Sequence, residues 1–287
     1  MDDPGPALTG RPSPAAPARR PAGPGPTEAE CLAGCPPMPE GSLDEPAAVA
    51  GRRVAGCRSM LEERLAEHRA MLEERLAEHR AMLDALSAGA ALDAAARAAA
   101  AAIDSVMGGG RLILFGNGGS AADATHLAAE LLGRFLVDRR PLAALALADN
   151  HAALTAIGND YAYEQVFARQ LEGLGRPGDT AIGLSTSGAS LNVAAALQAA
   201  RALGMATVAM TGADPGIVGQ AAEIVIAIPA HSTPRIQEAH MLVGHTICEA
   251  VERALLADGA THRDGRRAPA RAPLASAMPA TQLALGA

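Results

Sequence analysis

LILFGNGGSAADATHLAAE, residues 112–130, carries the strongest structural signal in this chain. Leu112, Ile113, Leu114 and Phe115 form an apolar run too short for a helix. It ends at once in Gly116, Asn117, Gly118, Gly119 and Ser120. A short apolar run stopped by a glycine turn predicts a buried parallel strand. From Ala121 the pattern becomes helical and rich in Ala and Leu. Strand, glycine turn and helix in that order make an anion site, because glycines let the backbone approach a ligand and the helix start offers unpaired N–H groups. His126 and Glu130, four residues apart, project from one face of that helix. Such a pair can hold a metal or move a proton, and the same spacing also serves as a plain solvated pair.

Working outward, short apolar runs at 111–115, 143–148, 180–184, 206–210 and 224–228 alternate with helical stretches near 121–135, 163–173, 190–203 and 215–222. A helix at 91–107 precedes them and one at 234–256 follows. Strands alternating with helices predict an α/β fold, a doubly wound five-stranded parallel sheet flanked by helices. Ligands of such sheets bind at the carboxyl ends of the strands.

Two further sites at that edge follow from residue type. The third run leads into Ser185, Thr186, Ser187, Gly188, Ala189 and Ser190 before a helix. Hydroxyls, a glycine and a helix N-terminus offer neutral donors suited to the phosphate of a small metabolite; Ser190 alone also reads as a plain N-cap. The turn has neither a P-loop lysine nor GxGxxG spacing, which disfavours ATP and NAD. After the second run come Asp149 and Asn150, then Asn159 and Asp160, residue types that form turns; Asp160 can also bind substrate hydroxyls. On the last helix Gln237, Met241 and His245 share a stripe, so Gln237 and His245 can face one cavity. With His126 and Glu130 they make four N/O donors, a set that fits a divalent metal such as zinc. His240 lies off the stripe and reads as structural.

The flanks carry less. Residues 1–58 hold twelve of the 20 prolines among small and polar residues and are expected to be disordered, as is the tail at 259–287. The folded domain is therefore expected at 59–258. Its first helix carries a tandem repeat, MLEERLAEHRA at 60–70 and again at 71–81. Eleven residues span three helical turns, so Met60, Leu61, Leu65, Met71, Leu72, Leu76 and Met82 keep to one stripe. This predicts one long helix with a subunit contact, and His68 and His79 fall on its solvated face. The net charge of −7 argues against a nucleic-acid surface. MDDPGPALTG does not resemble a secretory leader, no apolar run is long enough to span a membrane, and four cysteines are not expected to make a disulfide framework. The expected compartment is the cytoplasm.

GNGGSAADATHLAAEL, GNDYAYEQVFARQ, STSGASLNV and PRIQEAHMLVGHTICE, in this order, resemble the phosphoheptose isomerases, enzymes of the sugar isomerase (SIS) fold. The resemblance covers about residues 60–256. It implies a homotetrameric, zinc-dependent isomerase that converts sedoheptulose 7-phosphate to D-glycero-D-manno-heptose 7-phosphate. By the same resemblance, Asn117, Gly118, Gly119 and Ser120 form a first substrate loop, and Asn159 and Asp160 contact substrate. Ser185, Thr186, Ser187 and Ser190 hold the phosphate. His126, Glu130, Gln237 and His245 are the metal ligands, with Glu130 and His245 also the acid/base pair and Gln237 also a substrate contact. Pro234 stands where some relatives carry a polar residue. A non-catalytic SIS protein that binds the bacterial replication initiator resembles the loops equally well, but Glu130 and His245 are not Glu and His in it. An isomerase of another sugar phosphate is the third reading.

Overall fold

Alternate side chains of each strand go to opposite faces, and that rule sorts the core. In strand β1 (Leu112–Gly116), Leu112 and Leu114 join one apolar cluster while Ile113 and Phe115 join another. The computed structural model describes residues 46–258. Beside β1 run β2 (Ala144–Ala146), β3 (Thr180–Ser185), β4 (Ala206–Thr211) and β5 (Ile224–Ala227), all parallel, in the order β2-β1-β3-β4-β5. The expected α/β sheet is what forms.

The helices cover both faces. In chain order they are α1 (Pro46–Ser87), α2 (Ala90–Met107), α3 (Gly119–Leu132), α4 (His151–Asp160), α5 (Ala168–Leu174), α6 (Leu191–Ala202), α7 (Gly216–Gln220) and α8 (Thr233–Ala257). Residues of α2, α3 and α8 close one face with Leu112, Leu114, Ile182 and Met210. Ala94, Ala98 and Ala102 of α2 are fully buried at i, i+4 and i+8, small enough for close helix packing. Residues of α5, α6 and α7 close the other face with Ile113, Phe115, Ala181 and Ala209. Helices on both faces leave β1 and β3 buried throughout, and between Thr180 and Ser185 at its ends β3 is apolar as β1 is.

The strand order reverses between β1 and β3, and there the connections leave in opposite directions. A crevice opens at the carboxyl ends of such neighbours. The glycine turn after β1 and the hydroxyl turn after β3 flank it. At the amino ends of the same strands, buried Asp179 accepts hydrogen bonds from the Arg111 and Arg176 backbone N–H groups and pairs with the Arg111 guanidinium. That charge pair ties strand ends together, away from the crevice.

Three expectations change. The chain is already helical from Pro46, so the predicted tail is too long at its inner end; residues 1–45 and 259–287 lie outside the described residues. The segment around Asn159 and Asp160 is the end of α4, not a turn, and Asn150 caps that helix by accepting from the Ala153 N–H at 3.0 Å. His79 is not simply solvated: its Nδ1 lies 2.6 Å from Glu238 Oε2 on α8, while its repeat counterpart His68 is exposed.

The chain divides between Ala66 and Glu67 into two units, and the sheet lies in the second. Within that unit, Met82 and Leu86 of α1 enter the core, whereas Met71, Leu72 and Leu76 are exposed. Among the described residues no single helix is long and apolar enough to cross a membrane.

Candidate active site

At the crevice the two turns are tied by amides. Asn117, just past β1, and Asn192, in the first turn of α6, exchange hydrogen bonds of 2.9 and 2.8 Å. Tyr163 donates its hydroxyl to Asn117 Oδ1 at 3.1 Å. In the second turn the Ser185 and Ser190 hydroxyls lie 2.8 Å apart, and Ser187 Oγ accepts from the Ala189 N–H. Ser190 precedes α6 but its side chain makes no capping bond. Ser190 is thus the N-cap by position, but its hydroxyl does not satisfy the first N–H groups of α6. Gly188 makes the turn possible: its φ is +66°, and a β-carbon there would sit 2.4 Å from the Asp214 carbonyl oxygen.

A second arrangement lies in the seam between α3 and α8. Gly244 lets the helices meet, because a β-carbon at that position would lie 2.5 Å from Leu127 Cδ1. At this closest approach His126 and His245 face each other, Nε2 to Nε2, at 3.0 Å. Glu130 Oε1 is 3.3 Å from His126 Nε2. The ligand atoms of His126, Glu130 and His245 all fall within 4.8 Å of one another. Residues 119 apart in sequence thus build one cluster.

A SIS domain family model matches residues 75–212. The phosphoheptose isomerase of Roseiflexus sp. (strain RS-1) is 56% identical over 147 residues, which is 51% of this chain and 75% of the relative. That of Aquifex aeolicus (strain VF5) is 54% identical over 144 residues, covering 50% of this chain and 75% of the relative. This chain belongs to the phosphoheptose isomerase family. Among solved structures, the phosphoheptose isomerase from Neisseria gonorrhoeae is 38% identical with a TM-score of 0.59, covering 67% of this chain and 99% of that one. The matched region of the family model ends before α8; within α8, His245 is the residue that meets His126 and Glu130.

The remaining residues proposed from sequence fall at different distances from the seam. Gln237 stands two turns before His245, with its amide against Gly119: a β-carbon there would lie 1.9 Å from Nε2. It thus links the start of α3 to α8, beside the first loop. Asn159 and Asp160 are exposed at the end of α4, and Asn159 Nδ2 donates to Asp160 Oδ1 at 2.8 Å. The following segment supplies Tyr163, which does reach the first loop. Ser120 and Ser185 are buried, Thr186 and Ser190 half-buried, and Gly118, Gly119 and Ser187 exposed. His240 is structural, as expected: its Nε2–H donates to the Thr211 carbonyl at 3.2 Å, leaving Nδ1 buried without a partner. Burial pushes its pKa down to about 4, against the opposing pull of the Thr211 carbonyl.

Sequence reasoning missed Asn192, Tyr163 and Asp123. Asn192 lies inside the quoted STSGASLNV block, and a buried amide in the first turn of a helix was the available signal. Asp123, one turn before His126, is raised above the usual carboxylate range by burial, partly countered by His126.

The donor set fits zinc. Tetrahedral zinc with ligands near 2.1 Å separates neighbouring donors by about 3.4 Å, and the two closest approaches here are 3.0 and 3.3 Å. Two imidazoles and a carboxylate from two helices are donors that a divalent metal takes.

Proposed function

We propose that the protein converts sedoheptulose 7-phosphate to D-glycero-D-manno-heptose 7-phosphate. The observation that carries this reading is the meeting of Glu130 and His245 in one cluster with His126, on a fold whose switch point carries two anion-suited turns. Aldose–ketose isomerisation needs a base at carbon, an acid/base at oxygen and stabilisation of developing negative charge. Glu130 takes the C1 proton of the ketose and returns it to C2. His245 protonates the C2 oxygen as the enediol forms and accepts the C1 hydroxyl proton as the enediol collapses.

Ser185, Thr186, Ser187, Ser190 and the free N–H groups of α6 hold the phosphate. Asn117, Gly118, Gly119 and Ser120 form the first substrate loop, with Gln237 beside it. Asn159 and Asp160 bind sugar hydroxyls. His126, Glu130, Gln237 and His245 would hold one zinc ion per subunit, which when bound polarises the substrate carbonyl. The protein acts as a homotetramer in the cytoplasm; exposed Met71, Leu72 and Leu76 on α1 support a contact between copies.

The test is an isomerase assay of the purified, zinc-supplemented protein against seven-, six- and five-carbon sugar phosphates. Turnover of the seven-carbon ketose, and a loss of at least about 100-fold in Glu130→Gln with circular dichroism unchanged, is the expected result. Normal turnover by that variant would remove the base assignment. Conversion of a different sugar phosphate alone would replace the substrate.

A further inference from the structure

Residues 133–143, between α3 and β2, form a loop with no regular structure, yet one of its residues belongs to a buried ion pair. Arg139 and Glu252 of α8 are almost fully buried, with Nε 3.0 Å from Oε1. Glu252 also accepts from three successive loop N–H groups, Phe135 and Leu136 at 2.9 Å and Val137 at 3.2 Å. Arg139 donates to the carbonyls of Glu130 at 2.9 Å and Leu131 at 2.8 Å, and also to that of Gly133. An apolar pair filling this volume would avoid the cost of desolvating two charges. What the ion pair supplies is fixed geometry.

That geometry points at the seam. Phe135, held by Glu252, stacks on the His245 ring, with centroids 5.3 Å apart and planes inclined by 19°. The His126 ring also meets His245, edge-on, at 5.2 Å and 62°. Glu252 lies seven residues after His245, two turns along the same face of α8. One helix therefore carries the imidazole and also grips the loop that presses a ring against it.

We propose that Phe135 is a positioning residue for His245, and that the buried Arg139–Glu252 pair sets His245, through Phe135, and Glu130, through its carbonyl, in register with each other. The inference rests on the reading of Glu130 and His245 as the acid/base pair. The phenyl face removes the rotational freedom of an imidazole that must address two substrate oxygens in turn. Groups that orient active side chains without touching substrate typically contribute about 10- to 100-fold in activity.

The test compares Phe135→Leu with Phe135→Tyr in the full-length, zinc-loaded protein. Phe135→Leu is expected to lower kcat by about 10- to 100-fold with KM for the sugar phosphate unchanged, and Phe135→Tyr, which restores a ring, to recover most of it. A readout independent of turnover is the NMR spectrum of histidine-labelled, substrate-free protein. Ring-current shielding by Phe135 places the His245 ring protons upfield; they move downfield in Phe135→Leu and stay in Phe135→Tyr. Glu252→Gln should shift the same signals in the same direction. Wild-type kcat together with unmoved His245 signals in Phe135→Leu would overturn the proposal. If wild-type protein turns over no sugar phosphate while its His245 signals still follow Phe135, the isomerase reading fails and the positioning geometry stands.

Discussion

The two halves of the site are built on opposite principles. The turns after β1 and β3 are local, neutral and made largely of backbone. Asn117 and Ser190 each sit beside the strand and helix that present them. The seam between α3 and α8 is remote in sequence and ionisable. His126 and Glu130 meet His245 only because Gly244 allows Leu127 to close on α8. Binding an anion needs many weak, pre-aimed donors, which a single strand-turn-helix unit can supply. Moving protons needs a few groups of different chemistry held close together, which only packing can deliver.

That contrast can be broken at four points. Glu130→Gln, in the seam, has the largest expected effect: kcat falls by about 10²- to 10⁴-fold with the phosphate site intact, so inorganic phosphate still competes with the protein's ligands in a binding titration. Gly244→Val comes next, since its side chain must push α3 from α8. Overpacking costs about 1–3 kcal/mol, read in urea unfolding, and zinc affinity measured by calorimetry should fall because His126 and His245 separate. Zinc affinity unchanged in this variant would mean that the seam is not where the metal sits.

Ser190→Ala tests the other half. Loss of a hydrogen bond to a charged phosphate is worth about 1.5–3 kcal/mol, so KM rises at least about tenfold while kcat changes far less. A fall in kcat alone would erase the division of labour. The smallest effect belongs to His240, five residues before His245 on the same helix and outside the site. Its folded pKa near 4 lies below the ordinary 6.5, so the unfolded chain binds the extra proton. Stability is fully present above pH 6.5 and is lost as pH falls toward 4. At about pH 5.5 the loss is about 1 kcal/mol, and urea midpoints for His240→Gln should show a shallower decline over that range.

Much of this was legible in the chain. The alternation of short apolar runs with Ala- and Leu-rich stretches predicts the sheet, because burial on both faces leaves parallel strands apolar throughout. His126 and Glu130 share a face by helical spacing alone. Other features were hidden for physical reasons. Asn150, Asn159 and Asp160 suggest turns, yet Asn150 caps α4 with the same side-chain oxygen that would form a turn. His68 and His79 occupy identical positions in identical repeats, and only the second meets Glu238. Phe135 and Arg139 lie in a loop without periodic signal, and the partners of Glu252 lie on that loop, outside its own helix.

The chain alone showed the strands and most of the helices, though not α4 at His151–Asp160, and which residue types can bind an anion or a metal. Those properties follow from backbone geometry and side-chain type within a few residues. Tertiary structure alone decided the strand order that places the β1 and β3 turns side by side, and the glycine-permitted contact that brings His245 to His126. Contacts between distant segments depend on how whole faces pack, and no local pattern encodes that distance.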